Sequence, residues 1–213
     1  MFRRIMLTTA VCALSAAAQA QDSQLTGSIG GFLSLLSDAE ISDSSGSLDA
    51  DGTAIGLRGE LGTGTVFGYI DYQDSGRDGS VGPADFDLDT TETRVGFGVR
   101  TADPTMNFVG RLERYDVDAE LSGVGGSLKA DDDGAGVHVG IEAKTSDSAT
   151  VFGSAGYLSL GDSAGPEFRL GIKARAQDKV EIFGEYRMMD LSGDSGVVDT
   201  ELTDIRLGAN FLF

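Results

Sequence analysis

Apolar and polar side chains alternate along most of this chain. In residues 204–213 one face is apolar and the other mostly polar, with Ile205, Leu207, Ala209, Phe211 and Phe213 on the first and Asp204, Arg206, Gly208, Asn210 and Leu212 on the second. A period of two residues indicates a β-strand with one apolar face. Nine other segments repeat it: residues 25–36, 55–61, 66–72, 92–100, 106–115, 135–144, 151–157, 167–175 and 180–188. The pattern predicts an all-β fold of about ten strands, with eight or twelve as alternatives.

The connections between these strands alternate in length. Residues 62–64, 101–104, 145–148 and 176–178 are short and carry the Gly, Pro, Asp and Ser of tight turns. Residues 37–52, 74–89, 116–134, 161–166 and 192–200 are predicted to be longer loops. Long and short connections in turn are typical of an up-and-down antiparallel transmembrane β-barrel, with its short turns in the periplasm and its long loops outside the cell.

The charged residues of the strands fall mostly in the polar phase. A Lys or Arg facing lipid at mid-depth costs about 2–4 kcal/mol, whereas a water-soluble barrel with this pattern would have to bury its arginines. Arg114 is the exception, near a strand end where it can snorkel, and Arg77 is assigned to a connection. The charges predicted to line the lumen are Arg58, Glu60, Asp71, Glu92, Arg94, Arg100, Arg111, Glu113, Glu142, Lys144, Arg169, Lys173, Arg175, Glu181, Glu185, Arg187, Asp204 and Arg206. Glu167 falls in the same phase.

Two states of the lumen fit this pattern. Cations and anions are nearly balanced there, which favours a barrel closed by its own ion-paired side chains. Glycines also occur in the inward phase, and they leave space for a narrow water-filled pore: Gly56, Gly96, Gly98, Gly140, Gly156, Gly171 and Gly208.

The start of the chain has the composition of a secretory signal. Arg3 and Arg4 precede an apolar run, and small residues at Ala18 and Ala20 suit signal peptidase. Residues 1–20 are therefore predicted to be a cleaved signal peptide, with a short membrane anchor as the alternative, and residues 21–213 a single barrel domain. The net charge of −18 disfavours binding to nucleic acid through its phosphates.

The chain end adds a resemblance to a family. Arg206-x-Gly208-x-x-Phe211-x-Phe213 resembles the terminal assembly signal of bacterial outer-membrane β-barrel proteins. Phe183-Gly184-Glu185-Tyr186-Arg187, followed by Asp190-Leu191, is similar to the penultimate strand of the small members of that group, the OmpA/OmpX-type, opacity-protein-like and porin-like barrels. The resemblance implies secretion through the inner membrane and insertion into the outer membrane by the β-barrel assembly machinery. It also implies contact with lipid and lipopolysaccharide and a monomeric state, and it lends no catalytic residue and no cofactor.

Three functions follow as expectations. The first is a non-catalytic surface or envelope-structural role, and the second is a narrow porin-like channel for passive diffusion of small solutes. The third is a rim enzyme like the omptin proteases, because His138 is expected near the rim beside Asp131, Asp132 and Asp133. The Asp-x-His arrangement of that family is absent, however, so a lumen histidine bonded to a neighbouring carboxylate is the favoured interpretation.

Acidic residues are concentrated in the predicted loops. Asp49 and Asp51, like Asp131, Asp132 and Asp133, precede a glycine and superficially resemble calcium loops. Neither group supplies the twelve-residue ligand pattern of such a loop. Solvated acidic loops are the favoured interpretation, and divalent cations that bridge them to lipopolysaccharide phosphates are the alternative.

Overall fold

A computed structural model describes residues 25–43, 46–81, 84–123, 126–193 and 199–213. The predicted signal peptide, residues 1–20, lies outside the described residues. The described chain forms ten strands: β1 Thr26–Asp43, β2 Gly46–Gly62, β3 Val66–Val81, β4 Ala84–Arg100, β5 Met106–Gly123, β6 Gly126–Lys144, β7 Ala149–Leu160, β8 Ser163–Gln177, β9 Val180–Gly193 and β10 Asp199–Leu212. Within those residues no helix combines the length and the apolar character needed to cross a membrane.

The ten strands close into one barrel. Each strand pairs antiparallel with its neighbours in the chain, and β1 pairs with β10 to complete the ring. The last residue takes part in the closure: the Phe213 amide donates to the Gly27 carbonyl at 3.0 Å, and the Gly27 amide donates to the Phe213 carbonyl at 2.9 Å. Closure leaves no unpaired strand edge. The predicted all-β, up-and-down, ten-stranded barrel is confirmed.

The two ends of the barrel differ in their connections. At one end, called here the turn end, both described termini lie beside tight turns at residues 63–65, 101–105, 145–148 and 178–179. Gly64 occupies one of these turns with a φ of +84°, a conformation that favours glycine. At the other end, the hairpin end, the strands meet in pairs.

The prediction of long loops at the hairpin end is wrong for the described residues, because the strands continue through them. Residues 194–198 of the loop predicted at 192–200 lie outside the described residues. β1 and β2 stay paired as far as Asp43 and Gly46, and β5 and β6 as far as Gly123 and Gly126. The segment predicted as a loop at 161–166 is a two-residue turn followed by the start of β8. The period of two persists in these extensions, although Gly, Ser and Asp make it resemble loop composition.

The outer wall of the turn-end half is apolar. Every strand contributes exposed large apolar side chains there, and together they form what is called here the outer belt: Ile29, Leu33, Ile55, Leu57, Ile70, Phe97, Phe108, Leu112, Val137, Val139, Tyr157, Leu170, Ile182, Leu207 and Phe211. A ring of apolar groups of this extent on a folded surface marks contact with an apolar medium, because isolated soluble proteins expose only small apolar patches.

Strand β1 changes phase halfway along its length. Its register with β10 shifts between Ser34 and Leu36, which is the signature of a β-bulge. Leu35 and Leu36 are consequently both exposed on the outer wall, while Ser34 and Ser37 both face inward. Without the bulge, strict alternation would turn Leu36 inward, next to the outward Leu35.

Candidate functional site in the barrel lumen

A layer of buried charged residues crosses the middle of the lumen. Its members are 9% exposed or less, and along β4, β8, β9 and β10 an anion is followed two residues later by a cation: Asp71, Arg77, Glu92, Arg94, Glu113, Glu167, Arg169, Glu185, Arg187, Asp204 and Arg206. Five cations and six anions are nearly balanced, and the half-buried Arg58 adds a sixth cation. This set is called the charge layer below. Burying single charges is costly, so its stability depends on pairing.

Arg187 is the most fully paired member of the charge layer. Its two terminal nitrogens donate to the two oxygens of Glu92 at 2.8 and 2.9 Å, and its Nε lies 2.9 Å from Oδ2 of Asp204. Tyr115 donates its hydroxyl to the same Glu92 carboxylate at 2.7 Å. A bidentate guanidinium–carboxylate pair fixes both side chains in one orientation, and it links β9 to β4 across the lumen.

His138 lies in this layer and not at the rim. It is 5% exposed, and its Nε2 is 3.0 Å from Oε2 of Glu167, off the direction of a hydrogen bond. Its Nδ1 is 3.9 Å from Oε1 of Glu113. The expected position beside Asp131, Asp132 and Asp133 is wrong, because those residues lie on the exposed extension of β6, about 15–23 Å further along the strand.

Glu113, His138 and Glu167 bring potential metal ligands within 4.8 Å of one another. Arg94 already donates to both carboxylates, at 3.0 Å to Glu113 and 2.7 Å to Glu167. A metal ion here would lie against that guanidinium charge and would have to displace its hydrogen bonds. The cluster therefore fits an ion-pair network better than a metal site.

Arg77 also belongs to the lumen, although its sequence neighbourhood suggested a connection. Its Nε and one terminal nitrogen donate to the carbonyl and hydroxyl of Ser37 at 3.0 and 2.9 Å, and its other terminal nitrogen donates to Thr90 at 2.7 Å. The bulge in β1 turns Ser37 inward to accept these bonds. The alternation within one strand does not show which residue of another strand is its partner, so the sequence could not pair Arg77 with Ser37.

The inward glycines do not leave the expected space. A Cβ atom built on Gly56 would collide with the ring of Phe32, and one on Gly171 with the ring of Phe152. Gly98, Gly208 and Gly156 are covered in the same way by Phe67, Phe183 and His138. The rings therefore fill the volume that these glycines free.

Above the charge layer, towards the hairpin end, the lumen is apolar. Tyr115, Leu158, Met189 and Leu191 form one buried cluster, and Ala39, Ala50 and Leu88 form a second. Leu202 packs against both clusters and joins them. Together these residues are called the hairpin-end core. Around it the outer wall is acidic and exposed at Asp49, Asp51, Asp74, Asp78, Asp85, Asp87, Asp89, Asp118, Asp131 and Asp133.

Charge pairing on this acidic wall is sparse and local. Arg114 lies on the outer surface, where its Nη2 is 2.9 Å from Asp116 and 3.2 Å from Asp133. Lys129 donates to Glu120 at 2.7 Å, and this bond lowers the pKa of that carboxyl. A hydrogen bond with Asp78, together with the charges of neighbouring aspartates, raises the pKa of Asp87. None of the five aspartates considered as calcium ligands belongs to a metal-ligand cluster among the described residues.

Below the charge layer, towards the turn end, the remaining predicted lumen charges are partly exposed. Arg58 lies 3.2 Å from Glu185, Lys173 donates to Glu142 at 3.0 Å, and Arg100 pairs with Glu60. Glu181 accepts a bond from Asn210, Arg111 is half-buried, and Arg175 and Lys144 are exposed at the turn end. The terminal motif is divided between these zones, with Arg206 in the charge layer, Gly208 under Phe183, Phe211 on the outer belt and Phe213 over Gly27.

No protein-family profile and no curated protein sequence matches this chain. Similar solved structures include Neisserial surface protein A, with 12% identity, 87% of this chain and 96% of that chain covered, and a TM-score of 0.47. The attachment invasion locus protein Ail of Yersinia pestis shares 14% identity over 89% of this chain and 99% of its own, with a TM-score of 0.47. The outer membrane protein OprG of Pseudomonas aeruginosa shares 12% identity over 90% of this chain and 96% of its own, with a TM-score of 0.44. At these values the functional argument rests on the geometry and charges of this chain.

Proposed function

We propose that this chain is an integral outer-membrane barrel with a closed lumen and a non-catalytic surface or envelope-structural role. The observation that carries the proposal is the filling of the lumen in series, by the charge layer in the middle and by the hairpin-end core above it. A solute crossing the barrel would have to displace both. The proposed orientation places the turn end in the periplasm and the hairpin end outside the cell.

The dimensions of the outer belt support a bilayer setting. On β10 its exposed apolar positions run from Ile205 to Phe213, nine residues, close to the ~9–11 residues of a transmembrane strand. Strand β2 is 17 residues long, so its first residues, from Gly46 onwards, continue beyond the belt at the hairpin end. The part of the barrel between the belt and the hairpin end is called here the hairpin section. At about 3.3 Å per residue and with the tilt of a barrel, it projects roughly 20 Å from the membrane.

The closed lumen is tested by planar-bilayer recording of the purified, refolded protein, with a large porin in the same chamber as the positive control. The expected result is the absence of stable conductance steps. Steps of defined size that change when Arg94 is replaced by Ala would show ions passing through the charge layer, and the proposal would then be abandoned in favour of a channel.

One observation favours the alternative of a narrow porin-like channel. The turn-end part of the lumen is a cavity of about 600 Å³ open to one side, so half of a pathway is already present. A channel would need the hairpin-end core to move aside. Liposome swelling in small neutral sugars separates the two functions, because swelling requires an open pathway through both layers.

The acidic wall around the hairpin section supports a surface role. Exposed carboxylates on rigid strands keep the projecting section hydrated and repel anionic surfaces. We expect this wall to remain solvated, without bound divalent cations. The check is amide hydrogen exchange of residues 46–53 and 126–135 during a calcium titration: unchanged protection agrees with a solvated wall, whereas slower exchange would indicate cations that bridge the carboxylates to each other or to lipopolysaccharide.

A further inference from the structure

The turn end of the lumen contains a cavity of about 600 Å³. Gly64, Lys179 and Phe213 lie around its mouth, and Asp71 and Arg169 of the charge layer lie at its floor. Cavities that hold small organic molecules in proteins measure roughly 300–1,000 Å³. The space is therefore large enough for a molecule of metabolite size, and it opens to one side of the membrane only.

The cavity is basic, although the chain as a whole is strongly acidic. Seven cationic and five anionic side chains line it, in a chain with a net charge of −18. The two anions at its floor are already paired with two arginines: Arg58 lies 3.4 Å from Asp71 and 3.2 Å from Glu185, and Arg206 lies 3.8 Å and 3.2 Å from the same two carboxylates. An excess of positive charge in a concave, partly desolvated space attracts anions more strongly than the same charges on an open surface.

Three cations of the cavity lack a carboxylate partner. Arg111, Arg175 and Lys179 form no ion pair among the described residues, whereas Arg100 and Lys173 are paired with Glu60 and Glu142. Lys179 lies on the turn between β8 and β9 at the mouth, and Arg175 lies near the end of β8 beside that turn. Arg111 lies deeper, on β5.

Arg111 is held in place but unsatisfied. Its guanidinium lies 5.9 Å from the ring centre of Phe67 and 5.5 Å from that of Tyr69, and within the described chain it donates no hydrogen bond. Its Nε is buried without a partner. The side chain as a whole is only half-buried and lines the cavity, so a ligand there can accept hydrogen bonds from its free donors.

We propose that this cavity binds a small organic anion with phosphate or carboxylate groups, anchored by Arg111 and drawn in by Arg175 and Lys179. The planar fork of Arg111 matches two oxygens of either group. Phe67 and Phe152 supply apolar walls for the carbon part of the ligand. This binding is independent of the proposed closed lumen, because the cavity lies on one side of the charge layer.

The test uses isothermal titration of the full refolded protein in a non-ionic detergent at low salt, with inorganic pyrophosphate, citrate and glucose as probes. We expect saturable binding of one pyrophosphate or one citrate per chain, weakened by added salt, and no binding of glucose. Tighter binding of pyrophosphate would identify a phosphate ligand, and tighter binding of citrate a carboxylate ligand. If neither anion binds saturably, the proposal is wrong.

The variants assign the binding to the cavity. Arg111→Gln should weaken binding by about tenfold or more, the effect of losing a charge-assisted bond, and Lys179→Gln by a smaller factor. Lys144→Gln is the matched control, because Lys144 is exposed at the same end of the barrel but does not line the cavity. Arg111 has no ion pair to lose, and the thermal unfolding of each variant reports on folding. Binding that survives both Arg111→Gln and Lys179→Gln would place the anion elsewhere and overturn the assignment.

Discussion

Replacing Leu158 by Ala tests whether the hairpin section is a packed domain or a set of loops. Leu158 is fully buried, and it packs with Tyr115, Met189 and Leu191 in the hairpin-end core. The substitution removes three carbon atoms, which account for about 2.4 kcal/mol at ~0.8 kcal/mol per buried methylene. The cavity left behind adds to this, so the free energy of unfolding should fall by about 3–4 kcal/mol.

Two measurements check this expectation in non-ionic detergent. Equilibrium unfolding in guanidinium chloride gives the free energy, and amide hydrogen exchange of residues 126–135 and 163–166 gives the local loss of protection. Leu170→Ala is the matched control, because Leu170 lies on the next strand but faces outward on the belt, 64% exposed. Detergent fills the space it leaves, and the loss should stay below about 1 kcal/mol.

A small effect at Leu158 would refute the packed hairpin-end core. If Leu158→Ala costs no more than Leu170→Ala and the exchange of residues 126–135 is unchanged, those residues do not rest on a buried cluster. The closure of the lumen above the charge layer would then lose its support.

Three further predictions concern other parts of the barrel. Gly171→Ala should reduce the unfolding free energy by about 1–3 kcal/mol because its methyl group meets the ring of Phe152, whereas Gly68→Ala, with its nearest neighbour at 3.7 Å, should not. Deleting Phe213 should lower the yield of membrane-assembled protein but not export, because both hydrogen bonds to Gly27 are lost, and normal yield on fractionation would contradict this. The raised pKa of Asp87 means that the folded β3–β4 hairpin binds this proton more tightly than the unfolded chain. Amide exchange in that hairpin, corrected for intrinsic rates, should therefore slow as pH falls from 7 towards about 4, and Asp87→Asn should abolish the pH effect.

The sequence predicted the membrane half of the fold well because lipid and lumen impose opposite polarity on alternate residues. In that half the polar positions Arg94, Arg187 and Arg206 are buried inside the barrel as predicted, whereas Lys144 and Arg175 are exposed at the turn end. The strands of the hairpin section were predicted as loops because their composition of Gly, Ser and Asp matches that of loops. Their alternation was nevertheless readable: Asp85, Asp87 and Asp89 are exposed, and Leu88 between them is buried.

The contacts of the lumen could be predicted only in part. Phase alone placed His138 inward, but its depth and its partner Glu167 depend on the register between β6, β7 and β8. The filling of the space beside the inward glycines was equally hidden, since a glycine appears as empty space until a ring from a neighbouring strand is known to cover it. Pairwise geometry across strands, which a single sequence does not contain, determined these features.

The barrel reverses its polarity at the charge layer, and the reversal has a physical reason. In the belt the outer face meets an apolar medium, so the inner face must be polar for the two faces to differ. In the projecting section the outer face meets water, and an apolar inner face then gives the same contrast. A strand whose faces differ has one favoured register, because a slip of one residue would exchange them. On β1 the bulge at Leu35 makes this change directly, since without it Glu40 would point into the hairpin-end core and Ala39 into water. The fold can therefore be continuous across two solvents because the inner and outer faces exchange polarity at the charge layer, which β1 achieves by shifting its phase at the bulge.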